Sequence, residues 1–151
     1  MRTYLVVVDE SAEAEAALLF AARRAAKTGG GVHILALIPK MEFVQWGAVQ
    51  ATMEDEARAR AEALVMSAAG TLMAEANLQP TITVKAGDPV PVVRKTVEET
   101  ENVAALVLAA APKGAPGPLV AHFAGTDAGT LPCPLMIIPG SLSREDIERL
   151  S

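Results

Sequence analysis

The sequence predicts an α/β fold: an open five-stranded parallel sheet with helices on both faces. Three observations carry this. Two short runs, Leu5–Val8 and Ala104–Ala110, contain no polar position, which is how strands covered on both faces are written. Between and after them, apolar stretches alternate with segments of helical spacing, the pattern of strand–helix–strand units. The joints also carry turn and cap residues, from Asp9-Glu10-Ser11 through Gly87-Asp88-Pro89 to Pro132-Cys133-Pro134.

Size and composition narrow the class. A chain of 151 residues is expected to form one domain, burying roughly 68–70% of its unfolded surface. Hydrophobic residues make up 51% and aromatics 3%, so the core must be aliphatic, with alanine letting helices sit close to the sheet. A net charge of −5 argues against nucleic acid or an anionic membrane as partner, since both need a concentrated basic surface. One cysteine, Cys133, excludes an internal disulfide. With His33 and His122 it is too sparse for a zinc site, so no metal ligands are assigned. No export leader or membrane-length apolar run is evident, and a cytoplasmic protein is expected.

The first strand, Tyr4–Val8, ends on Asp9, where ligands of such sheets bind. Ser11 is the expected helix cap, with Glu13 and Glu15 in the first turn, Lys27 near the end and Gly29 to Gly31 as the stop. Arg23 and Arg24 are read as a solvated face. Val32–Ile38 is the second strand, closed by Pro39, with His33 expected to be partly exposed or bonded to a loop. From residue 40 to 52 the pattern breaks. Met41, Phe43, Val44 and Trp46 make this connection apolar enough to fold over the sheet edge or a ligand.

Glu54–Asn77 is the longest helix signal, with Ala57, Ala61, Leu64, Val65, Ala68, Leu72 and Ala76 on one stripe and Gly70 as a weak point. Pro80–Val84 alternates threonine with apolar residues, as an edge strand does. Gly87 for the turn, Asp88 as cap and Pro89 at the first helical position start the third helix. Its Glu98, Glu99 and Glu101 lie unfavourably near the negative end of the helix dipole and are read as a solvated face. Ala104–Ala110 is the second central strand, expected beside the first. Pro118 opens a helix expected to reach about Leu131, and Leu135–Ile138 is the last strand. Ser143 to Asp146 has capping-box spacing for a short final helix.

Asp9-Glu10-Ser11 has no glycine, so neither a Gly-x-Gly-x-x-Gly fingerprint nor a phosphate-binding Gly-x-x-x-x-Gly-Lys loop is present. Leu5-Val-Val-Val-Asp-Glu-Ser11, Gly87-Asp88-Pro89 and Pro132-Cys133-Pro134 before an apolar last strand, in this order and spacing, instead resemble the universal stress protein family from about Arg2 to Pro139. The resemblance implies strand order 3-2-1-4-5 and a homodimer through the last strand, Leu135, Met136, Ile137 and Ile138. It also implies an adenine-nucleotide site between the ends of strands one and four. Asp9 corresponds to the acidic residue that contacts the nucleotide, and Leu37, Ile38 and Pro39 to the adenine side. ATP or AMP with magnesium is the ligand this implies, although the residues themselves assign no cofactor.

ATP-binding members carry Gly-x-x-Gly, nine residues, then Gly-Ser or Gly-Thr. Here Gly114-Ala-Pro-Gly117 is followed by only seven residues before Gly125-Thr126. Counting from the flanking elements places Ala110 at the first glycine and Ala121-His122 at the Gly-Ser pair. The candidate ligand contacts are therefore Asp9, Leu37, Ile38, Pro39, Ala110, Lys113, Gly114, Gly117, His122, Gly125 and Thr126. Pro116 and Pro118 lack N–H donors, and Asp127 adds negative charge. No catalytic residue is assigned. The expected function is a stress-related regulatory or interaction protein with weak or no ATP binding and an unidentified protein partner. The alternatives are an adenine-nucleotide switch with a modified phosphate loop and a slow nucleotide hydrolase.

Overall fold

A computed structural model describes residues 1–38 and 47–151, without the side chains of residues 47, 48 and 50. Pro39, Met41, Phe43, Val44 and Trp46 lie outside the described residues. The elements run β1 (Thr3–Val8), α1 (Ala14–Thr28), β2 (Gly31–Ile38), α2 (Gly47–Ala76), β3 (Thr81–Ala86), α3 (Pro89–Glu99), β4 (Val103–Ala110), α4 (Pro118–Ala124), β5 (Leu135–Pro139) and α5 (Arg144–Leu150). The sheet is parallel throughout in the order β3-β2-β1-β4-β5.

β1 is central, with Val6 opposite Ile34 of β2 and Val107 of β4. The two-residue repeat of a strand sends its side chains to opposite faces, so β1 feeds two cores. Tyr4, Val6 and Val8 join Leu18, Ala22 and Leu72 beneath α1 and α2. Leu5 and Val7 join Val93, Val97, Val120 and Phe123 beneath α3 and α4. Alanines at 17, 21, 22 and 25 of α1 are fully buried, as close helix–sheet approach requires. Each large aliphatic side chain so buried contributes about 1.5–3 kcal/mol.

The edges differ. β3 exposes Thr81, Ile82, Lys85 and Ala86, which fits its alternating sequence. His33 is buried rather than bonded to a loop. Its Nδ1 meets Thr81 Oγ1 at 2.6 Å and its Nε2 meets Thr83 Oγ1 at 2.8 Å, both across the β2–β3 pairing. Burial lowers the pKa of His33 below its ordinary value. At the other edge, β5 carries an apolar sequence with Ile137 39% exposed.

Several local expectations are corrected. Ser11 does not cap α1; Glu13 occupies that position, without a side-chain hydrogen bond. Arg23 is not a solvated cation. It pairs with Glu75 of α2 and Glu148 of α5, both at 2.7 Å, tying three helices together. α2 begins at Gly47, seven residues before Glu54, and runs unbroken through Gly70, beside which there is open space. Val49 and Met53 in that added stretch are exposed. Asp88 makes no side-chain cap, although Gly87 takes the expected positive φ of 131° and Pro89 opens α3. Glu98 and Glu99 pair with Arg94 and Lys95 one turn earlier, which offsets their position near the dipole's negative end. α4 stops at Ala124 instead of Leu131. The Ser143 cap is present, accepting from the Asp146 N–H at 3.1 Å.

Candidate functional site

The parallel strands end together on one side of the sheet. β1 passes into Asp9 and β4 into the loop that precedes α4, and between them lies a cleft with about 490 Å³ of empty space, open solvent included. Its walls include Val7, Asp9, Ser11, Ala109, Gly117 and Val120. Asp9 is exposed, and its Oδ1 accepts hydrogen bonds from the Ser11 backbone N–H at 2.9 Å and from the Ser11 hydroxyl. The sequence places a hydroxyl two residues beyond a carboxylate, and the turn closes on the carboxylate instead of on the helix. This holds Asp9 Oδ1 in place at the wall of the cleft.

The β4–α4 loop supplies the opposite wall. Its base is pinned by the Ala111 N–H donating to Pro116 O at 3.1 Å, and β5 is joined to it by the Gly140 N–H donating to Ala110 O at 2.8 Å. Gly114 and Gly117 both take positive φ, 73° and 114°, conformations that glycine adopts without strain. Pro112, Pro116 and Pro118 contribute no N–H, and the Ala111 N–H is already spent. The loop's remaining backbone donors are the N–H groups of Lys113, Gly114, Ala115 and Gly117.

The candidate residues divide accordingly. Asp9 and Gly117 line the same cleft. Ala110 ends β4 next to Ala109, which lines it, while Lys113 and Gly114 sit exposed in the loop. Leu37 packs at the margin of the α3/α4 core, and Ile38 is buried on the other face against Ala57 and Ala61. His122, Gly125 and Thr126 belong to a separate arrangement at the end of α4. There His122 Nε2 lies 2.9 Å from Asp127 Oδ2, and Arg94 Nη1 reaches the same oxygen at 3.2 Å. Hydrogen bonding from His122, with Arg94 nearby, holds the Asp127 carboxyl below the usual range. The negative charge expected beside a phosphate is thus neutralised within the protein, and the His122 ring is engaged. Ser11, absent from the candidate contacts, is the residue that sequence reasoning missed. Its spacing of two from Asp9 is a turn signal as well as a cap signal.

Cys133 is half-buried, and burial pushes its thiol above the ordinary value, the behaviour of a packing residue rather than a nucleophile. Among the described residues no group of three or more His, Cys, Asp or Glu side chains is arranged to hold a metal ion. None of the described helices is long and apolar enough to cross a membrane.

A model of the universal stress protein family matches residues 1–139. The chain belongs to the universal stress protein family. Among solved structures, universal stress protein UspA from Lactobacillus plantarum is 17% identical with a TM-score of 0.75, over 91% of this chain and 97% of that one. A universal stress protein from Archaeoglobus fulgidus in complex with dAMP is 18% identical with a TM-score of 0.64, over 91% and 98%. A family member from Arabidopsis thaliana with AMP bound is 15% identical with a TM-score of 0.59, over 92% of each chain. At these identities the likeness is one of fold. No curated relative matches the chain to narrow the assignment within the family.

Proposed function

We propose that this universal stress protein acts as a single-domain, homodimeric regulatory protein that works through a protein partner and binds ATP weakly or not at all. The observation that carries the reading is the β4–α4 loop. Two of its residues, Pro112 and Pro116, and Pro118 at the start of α4 have no N–H, and Ala111 donates to Pro116. A triphosphate needs a cradle of such donors. Native mass spectrometry followed by calorimetric titration with ATP and magnesium tests it. A dimer that carries no nucleotide and releases no heat at micromolar ATP is expected. Micromolar affinity, or ATP co-purified with the protein, would overturn the reading.

A second reading is favoured by the cleft. Asp9, oriented by Ser11, faces Gly117 across a gap at the ends of β1 and β4, and solved relatives are described with AMP or dAMP. A nucleoside monophosphate asks for fewer phosphate donors than ATP does. On this reading AMP binds while ATP does not, with Asp9 accepting from the ribose hydroxyls. Calorimetry with AMP on the parent protein and on Asp9→Ala distinguishes the two: heat that disappears in the variant supports the switch, and no heat in either returns the case to the partner-only reading.

A further inference from the structure

The opposite end of the sheet, where the strands begin, holds a second groove. It contains about 1470 Å³ of empty space, open solvent included, and Arg2, Tyr4, Arg24, Thr28, Asn102 and Met136 are on its walls. Arg23, Arg60, Arg94, Arg144 and Arg149 each meet a carboxylate. Arg2 and Arg24 meet none among the described residues. Arg24 also buries its Nε without a hydrogen-bond partner, a costly arrangement for a charged donor. Glu101, adjacent to Asn102 in the chain, does not line the groove. In a protein of net charge −5, two guanidiniums that meet no carboxylate among the described residues and share one concavity form a local positive site.

Its hydroxyls are already engaged within the protein: Thr28 Oγ1 donates to Arg24 O at 2.8 Å, which leaves it to accept from Tyr4. The Tyr4 hydroxyl lies 3.1 Å from Thr28 Oγ1, and the Asn102 backbone is held at φ 56°. Burial pushes the Tyr4 phenol up, but its hydrogen bonds to Thr28, Arg24 and Arg2 outweigh that and hold it below its ordinary value. The aliphatic wall at Met136 and Ala104 leaves room for an organic portion beside the charged end.

We propose that this groove binds a dianionic phosphate group, either free phosphate or a small phosphomonoester, between Arg2 and Arg24, at the end of the sheet remote from the Asp9 cleft. Guanidinium forks match phosphate oxygens in both geometry and charge.

The test is a titration of the labelled protein with inorganic phosphate at constant ionic strength, followed by amide chemical shifts, with chloride as the control salt. Saturable shifts at Gly29, Asn102 and Val103, with Asp9 and Gly117 unmoved, are expected. Arg2 is exposed, so Arg2→Gln should fold normally and weaken binding by about tenfold, the scale of one charge-assisted contact. Arg24→Gln should abolish saturation, and Arg24→Lys provides a milder variant should that one fold poorly. Chloride matching phosphate, shifts confined to Asp9 and Gly117, or unchanged affinity in Arg2→Gln would each overturn the proposal. Repeating the titration with glycerol phosphate separates the sources: tighter binding than inorganic phosphate assigns an ester seated against Met136, and equal binding assigns the free ion.

Discussion

Asp9 and Ser11 show how one pair of residues can be read two ways. Aspartate, glutamate and serine before an apolar periodic stretch carry the same signal whether the serine caps the helix or bonds back to the aspartate. Only the three-dimensional turn decides, and here Asp9 receives both Ser11 donors. Since Asp9 is exposed, Asp9→Ala is expected to leave the unfolding free energy from urea titration within about 0.5 kcal/mol of the parent, so any loss of AMP heat reports the cleft rather than the fold. His33 carries a different prediction. Its folded-state pKa is lowered by burial from an ordinary value of 6.5. The unfolded chain therefore takes up the proton first as pH falls. Stability should be full above about pH 6.5–7 and decline on acidification until the folded-state pKa is passed. Urea unfolding from pH 7.5 to 5 checks this, and in His33→Gln the slope should flatten. The sequence could place a histidine near a strand start. It could not show that Thr81 and Thr83, some fifty residues away, would close over both ring nitrogens.

At the scale of elements, existence and order were legible, whereas two lengths were not. α2 gained its first seven residues because the alanines around Val49 and Met53 favour helix, while their apolar neighbours suggested a covered connection. α4 lost its second half because Asp127 is drawn to His122 and Arg94, and its N–H donates to His122 O at 3.2 Å, turning the chain where periodicity alone would continue it. Junctions between elements also carry sharp packing limits. A Cβ at Gly140 would sit 2.7 Å from both Ala110 O and Glu13 Cβ. Gly140→Ala should therefore destabilise by about 1–3 kcal/mol, measured by denaturant midpoint, and should disturb the β4 end that borders the Asp9 cleft. Ser143→Ala removes the α5 cap and should cost about 1 kcal/mol. The ties from Arg23 and Arg144 to Glu75 and Glu148 should then hold the helix only loosely, and hydrogen exchange across residues 144–150 should rise.

For the molecule as a whole, the buried strands were the most legible feature, since runs without polar residues leave a central parallel strand little alternative. The edges were legible too, because Thr-Ile-Thr-Val-Lys and Leu-Met-Ile-Ile differ in the one property that edges manage, their readiness to pair. Through Ile137 and its neighbours, β5 is the proposed dimer contact. Light scattering should give a dimer for the parent and a monomer for Ile137→Lys, with the secondary structure retained. A cluster of titratable side chains such as Asp127, His122 and Arg94 was not legible, because its members come from α3, α4 and the turns after it. The two dissimilar edges have one more consequence. Two copies joined through β5 use up their only adhesive margins and leave a β3 at each extremity, studded with threonine and lysine and partly occupied by hydrogen bonds to His33. Such a proposed pair would form one sheet of ten strands with a β3 at each end.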